Sequence, residues 1–243
     1  MIIINADDWG RCREETDAAL TCYEKGRITS VSAMVFMEDS ERAAELAKGA
    51  GLDVGLHLNL SQRYNGHPRL AQNIDSQDRI VRFMTRSKYS ILLYDPFVRN
   101  QIRNVYQAQM NEFLRLYGKP PSHVDGHQHR HLCANLLIDE VIPRGQRVRR
   151  NFSFAPGEKG LVNRSYRRLV DYWLKRRYRL TDYFFALSQC FDEARLRRVI
   201  ELAKVATVEL MTHPAKKDEY VRLMSDDFLV SIRSLQLGTY SLI

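Results

Sequence analysis

The sequence predicts an α/β protein built on a parallel sheet, open or closed into a barrel, and three observations predict it. Short apolar runs alternate with segments of helical period along the chain. With 243 residues, 44% of them hydrophobic, the chain can bury one substantial core, a normal size for a barrel-like α/β domain. Polar, titratable residues stand at or just past the carboxyl ends of four apolar runs, where parallel α/β folds bind ligands. We expect one domain over residues 1–243, since no repeat, linker or low-complexity tract divides it.

In chain order, Ile2–Asn5 reads as a buried strand that runs into Asp7 and Asp8, and Glu14–Lys25 follows as a helix. Val31–Phe36 and Val54–Leu58 are the next strands, separated by the helix Ser40–Lys48. Gln62–Ser87 reads as long, polar and irregular, a candidate binding loop. A helix over Val98–Tyr117 leads to a short strand at Val124, inside a histidine-rich segment. Then come helix Leu132–Ile142, strand Arg147–Phe152, helix Ser165–Tyr178, strand Tyr183–Leu187, helix Glu193–Leu202 and strand Val205–Met211.

Composition excludes several classes. Charged residues at 27% and aromatics at 10% belong to a folded chain, not a disordered one. The opening Met-Ile-Ile-Ile-Asn-Ala lacks the basic flank and cleavage site of a signal peptide, and no apolar run approaches the roughly 18 residues that cross a bilayer. A soluble, cytoplasmic protein is expected. Cys12, Cys22, Cys133 and Cys190 are scattered without a C-x-x-C pair, which points to reduced structural thiols. Net charge is +8, and residues 164–179 concentrate it: Arg164, Arg167, Arg168, Lys175, Arg176, Arg177 and Arg179 face Asp171 alone. Leu169, Val170, Trp173, Leu174 and Tyr178 recur there at helical spacing, so one face should pack on the core and leave a basic face to solvent.

His123-Val-Asp125-Gly-His127-Gln-His129-Arg-His131 places four of the seven histidines within one short segment, more than a core needs. Metal ligation explains the density, since imidazole is the commonest nitrogen ligand, and a solvated polar loop is the alternative. Not all four can ligate; Asp125 and the remaining histidines would orient the ligating ring. Asp7 and Asp8, if both buried, oppose each other's ionisation, and a metal relieves one while leaving the other as a base. The plainer alternative is an N-cap for the following helix. His57 is a polar residue in an apolar strand, read alone as a hydrogen-bonded core histidine and in company as a third ligand. His213-Pro214, after Glu209, is either a strand-ending turn or an acid or orienting group.

On these residues the sequence resembles the YdjC-like carbohydrate deacetylases. Asn5-Ala6-Asp7-Asp8-Trp9-Gly10 is similar to the family's N-A-D-D-F-G opening and Gly55-Leu56-His57-Leu58-Asn59-Leu60 to its G-x-H-x-x-L strand. The histidine segment resembles H-x-D-x-H-x-H-x-H, Glu209-Leu210-Met211-Thr212-His213-Pro214 resembles E-x-M-x-H-P, and Leu237-Gly238-Thr239-Tyr240 resembles the closing strand. Trp9, Arg130 and the pair Arg149-Arg150 depart from the family pattern. The resemblance implies a (β/α) barrel, seven-stranded or distorted TIM-like, and one divalent metal, usually magnesium. It implies Asp8, His57 and His127 as ligands, Asp7 as general base and His213 as assisting acid, with Asp125, His129, Arg149 and Glu209 supporting the site or contacting substrate.

The expected activity is removal of an acetyl group from an N-acetylated sugar. Histidine softness keeps zinc or another transition metal open. The substrate would be an oligosaccharide or a lipid-linked sugar, the latter met at the inner membrane surface through residues 164–179. A homodimer is open. The rival readings are a metal-dependent phosphoesterase on a similar barrel, which a second metal would betray, and a non-enzymatic binder of nucleic acid or anionic surfaces; no nucleic-acid motif supports the last.

Overall fold

In a computed structural model, which describes residues 1–66, 74–154 and 160–243, Ile2–Trp9 forms strand β1 and every residue of it is buried. An apolar run covered on both faces suits an interior strand of a parallel sheet. With β2 (Ser30–Ala33), β3 (Asp53–Leu58), β4 (Val124–Gly126), β5 (Tyr183–Ala186) and β6 (Val208–Thr212), it makes a sheet of order β4-β3-β2-β1-β6-β5. The pairings β1–β6, β5–β6 and β3–β4 are parallel. The helices are α1 (Arg13–Glu24), α2 (Ser40–Ala50), α3 (Ile74–Thr85), α4 (Arg99–Tyr117), α5 (Ala134–Ile138), α6 (Leu161–Lys175), α7 (Glu193–Val205), α8 (Lys217–Met224) and α9 (Asp226–Ile232). No described helix is long and apolar enough to cross a membrane. None of the four cysteines is in a disulfide.

The chain divides into two compact units, one of Met1–Ala6, Ala18–Ser30 and Gly145–Ile243, the other of Asp7–Asp17 and Val31–Arg144. In the first, the ammonium of Met1 donates to the carbonyls of Ala203 and Ala206 at 2.6 and 3.0 Å, at the end of α7 where the helix dipole favours a cation. Asp192 starts α7 by accepting the amides of Ala194 and Arg195. Phe152 stacks on Phe184 at 4.5 Å, against the small core of Phe184, Ala186 and Met211.

In the second unit, α2 turns Ala43, Ala44 and Ala47 inward, and Gly51, at φ 67°, ends it by donating to the carbonyls of Ala47 and Lys48. Helix α4 buries Ile102, Val105, Tyr106, Gln109, Phe113, Leu116 and Tyr117 at helical spacing. The Gln109 amide acts as a strand would: it accepts Asn59 N–H at 2.8 Å and donates to the Asn59 carbonyl at 2.9 Å. That pins the chain two residues beyond His57.

The parallel α/β class expected from the sequence is observed, with six strands rather than seven among the described residues. The expected strand Arg147–Phe152 does not form: it makes an isolated bridge to Arg179 and one bond from Ser153 N–H to the Phe184 carbonyl, while Asn151 N–H goes to the Asp171 carboxylate. Within the expected loop Gln62–Ser87, residues 74–85 are helical, burying Gln77, Ile80 and Met84; residues 67–73 lie outside the described residues. Helix Leu132–Ile142 shrinks to α5, since Pro143 disfavours helical backbone before it and Glu140 adopts φ 47°. Strand Val31–Phe36 stops at Ala33, and Phe36 takes φ 65°. Helices α8 and α9 follow the last strand without having been expected. On α6, Leu174 is buried as expected but Leu169 is not: it is 67% exposed, near Tyr172 at 60%.

Candidate metal centre

The carboxyl end of β1 turns sharply. Asp8 sits at φ 66°, a conformation that costs a non-glycine residue about 1–3 kcal/mol and persists only where the surroundings impose it, and Gly10 follows at φ 82°. A Cβ on Gly10 would lie 3.1 Å from the Met34 carbonyl, so the close approach also requires glycine. Met34 N–H donates to the Trp9 carbonyl, Gly10 N–H to Thr16 Oγ1, and Arg11 Nη1 to Asp8 Oδ2 at 3.0 Å. These bonds hold the buried carboxylates of Asp7 and Asp8 in place.

His57 on β3 and Asp125 on β4 are register partners, and His57 Nδ1 lies 2.9 Å from Asp125 Oδ1. The other ring nitrogen, Nε2, therefore points to Asp8 Oδ1 at 3.3 Å and Asp7 Oδ2 at 3.9 Å. Asp125 is held in turn: Ser32 Oγ donates to its Oδ2 at 2.8 Å, and His123 Nε2 stands 3.0 Å from Ser32 Oγ. A Cβ on Gly55 would fall 2.2 Å from the His123 ring, so glycine in β3 makes the space this imidazole fills.

His127 closes the group, with Nδ1 2.8 Å from Asp8 Oδ1 and its ring edge-on to His57 at 5.6 Å. After β4 the backbone reverses through Gln128 and His129, both at positive φ (54° and 56°). Gly126 permits the return, because a Cβ there would lie 2.9 Å from the His131 amide nitrogen. His129 itself faces the His131 ring at 6.4 Å.

Burial alone would raise the Asp8 carboxyl, but hydrogen bonds and charge from His127 and His57 hold it well below the usual carboxylate range. Burial alone would lower the His57 imidazolium; the charges of Asp125 and Asp7, with hydrogen bonds to Asp125 and Asp8, outweigh it and raise it to about 10. A positive charge on His57 offsets the mutual repulsion of these buried carboxylates, and a divalent cation could supply that charge instead. Ligand atoms of Asp8, His57 and His127 lie within 4.8 Å of one another, as do those of Asp7, His57 and Asp125. The donors fit a cation: two imidazoles and a carboxylate, with one imidazole fixed by a carboxylate on its far nitrogen.

The remaining residues expected at the site belong to the other unit. Arg149 is fully buried, donates Nε to Glu209 Oε1 at 2.7 Å and lies over the Phe184 ring at 5.0 Å; Tyr240 donates its hydroxyl to Glu209 Oε2. His213 donates its backbone N–H to Glu219 Oε2 at 2.8 Å and has Nδ1 3.6 Å from Glu219 Oε1. Burial alone would raise the Glu219 carboxyl, and the His213 hydrogen bonds hold it below its ordinary range. Sequence reasoning missed Ser32, Arg11 and Glu219. Two serines in alternate positions, Ser30 and Ser32, beside an apolar run were the one available signal for the first.

Residues 1–240 match the model of a family described as YdjC-like protein. A mouse carbohydrate deacetylase is 30% identical over 88% of this chain and 77% of its own length. A chitooligosaccharide deacetylase of Yersinia enterocolitica is 27% identical over 99% of this chain and 98% of its own. The crystal structure of an Enterococcus faecalis V583 protein, provisionally named a cellobiose-phosphate cleavage protein, superposes with a TM-score of 0.67 at 17% identity, covering 99% of this chain and 97% of that one.

Proposed function

Since the chain belongs to the YdjC-like protein family, we propose that it is a carbohydrate deacetylase, a hydrolase that removes the acetyl group of an N-acetylated sugar and releases acetate. The observation that carries the site assignment is the convergence of Asp8, His57 and His127 beside a further carboxylate, Asp7. In this reading the three hold one divalent cation, which when bound supplies Lewis acidity to the acetamide carbonyl and acidifies a water. Magnesium follows from the resemblance, while two imidazoles suit zinc, nickel, cobalt or iron better.

Asp7 is the general base, a buried carboxylate next to the ligand set that is not needed to complete it. Asp125 orients His57 and leaves Nε2 free to ligate. His213 is the acid that protonates the departing amine, an assignment resting on its motif and on Glu219, whose carboxylate would hold an imidazolium. Arg149, steadied by Glu209, is the candidate donor to the developing oxyanion, and His129 a candidate sugar contact. A lipid-linked substrate is part of the same reading: α6 exposes Tyr166, Leu169 and Tyr172 among Arg168, Lys175 and Arg176, the composition of a helix lying on an anionic membrane.

The deciding experiment measures acetate release from acetylated oligosaccharides, sugar nucleotides and glycolipids with added divalent metals. Asp8→Ala, His57→Ala and His127→Ala should each abolish metal retention and turnover while the chain stays folded. Full activity in any one of them defeats the ligand assignment.

A further inference from the structure

Two adjoining cavities of about 220 Å³ each open beside β5 and share the wall formed by Ser153, Phe154 and Arg198. Six arginines line them: Arg150, Arg164, Arg167, Arg168, Arg195 and Arg198. Asp171 is the one carboxylate among the described lining residues, and it is engaged, accepting Arg150 Nη2 at 2.6 Å and the backbone and side-chain nitrogens of Asn151. Arg167 donates Nε to Asn163 at 2.8 Å and lies 5.0 Å over the Phe154 ring, contacts that fix the guanidinium without neutralising it. Among the described residues no carboxylate pairs with Arg164, Arg168 or Arg198, and the buried Nε of Arg150 has no hydrogen-bond partner.

This is more than the solvated face of a basic helix. The cations come from three separate stretches, the segment before Phe152, helix α6 and helix α7, and they line two cavities that share a wall at Arg198. Concentrated like charge destabilises the folded chain unless an anion offsets it. Planar guanidinium forks match phosphate oxygens in paired hydrogen bonds, and Phe154, Tyr183 and Phe185 add apolar walls for whatever the phosphate is attached to.

We propose that these cavities form a binding site for a phosphate-bearing ligand, with Arg164, Arg168 and Arg198 supplying the unneutralised charge. The proposal does not depend on the deacetylase reading: the hydrolytic step uses none of these residues, and only the membrane-facing part of that reading shares Arg168.

Calorimetric titration of the full chain with inorganic pyrophosphate tests it. Saturable binding is expected, weakened about tenfold or more by Arg198→Gln and by the double variant Arg164→Gln/Arg168→Gln, the loss of charge-assisted hydrogen bonds. Arg103→Gln, which removes an exposed cation from α4, should leave it unchanged, and circular dichroism should show every variant folded. Capture by phosphatidylglycerol vesicles that pyrophosphate competes away would trace the phosphate to a lipid headgroup. Pyrophosphate binding without vesicle capture would trace it to a soluble phosphate ester. Absence of saturable pyrophosphate binding, or an equal loss in Arg103→Gln, overturns the site.

Discussion

His57 and Asp125 meet across the β3–β4 pairing with Nδ1 2.9 Å from Oδ1, and the contact decides which nitrogen of His57 is left for chemistry. With Nδ1 committed, Nε2 faces Asp8 and Asp7. Ser32 holds the second oxygen of Asp125, so the carboxylate cannot swing away and the imidazole plane is set from behind.

Asp125→Asn should weaken metal affinity about 10- to 100-fold, as loss of an orienting carboxylate commonly does. Ser32→Ala should move affinity the same way by less. Titration with zinc and with magnesium reads both, and an unchanged affinity in Asp125→Asn would show that the ring is oriented by something else.

Chelation should abolish deacetylation and re-addition of metal restore it. Because imidazole ligands must lose their protons to bind, metal affinity should fall from pH 8 to pH 6. Apparent dissociation constants at the two pH values check this; a flat profile would argue that histidines are not ligands.

His213→Ala should lower turnover of acetamides about 10²- to 10⁴-fold, the range for a lost general acid. An acetate ester with a good leaving group needs no such proton and should be hydrolysed nearly as fast as by the wild type. Equal losses on both substrates would remove His213 from the proton-donor role.

Gly55→Ala places a methyl 2.2 Å from the His123 ring, and overpacking of this kind costs about 1–3 kcal/mol. Urea unfolding should show that loss, and His123→Ala should relieve it in the double variant, so that the two changes are not additive. Additive losses would mean that the ring moves aside freely.

Glu219 is ionised in the folded chain below the pH at which the unfolded carboxyl, near 4.5, protonates. Its contribution is therefore fully present above that value and is lost as pH falls through its lower folded pKa. Glu219→Gln should destabilise the protein at pH 7 and do so progressively less toward pH 3, measured by urea unfolding. A constant difference would assign the effect to packing and not to charge.

Much of the site was legible because its chemistry is written in residue types at short spacing. Asp7-Asp8 at the end of an apolar run, His57 inside another and the histidine segment after a third could be read without coordinates, and the three ligand candidates do converge. Ser32 was marked only by a second serine two residues before it, which says nothing of the partner it meets 93 residues away. Helix α3 was hidden by its polar composition: its inward face includes Gln77, which donates to the Gln62 carbonyl and looks like loop chemistry in the sequence.

The sequence by itself determined the class of fold and the candidate ligands, because hydrophobic period and residue type are properties of a few neighbouring residues. Tertiary structure alone decided which imidazole faces which carboxylate. Asp8 and His127 stand 119 positions apart, and their contact at 2.8 Å depends on the strained turn after β1 and the double reversal after β4, which no local pattern specifies. The same holds for Arg147–Phe152, whose composition favours a strand but whose Asn151 amide is claimed by Asp171 from a different element. Propensity is settled over a few residues, whereas competition for a backbone hydrogen bond or a buried charge is settled only once distant parts of the chain are packed together.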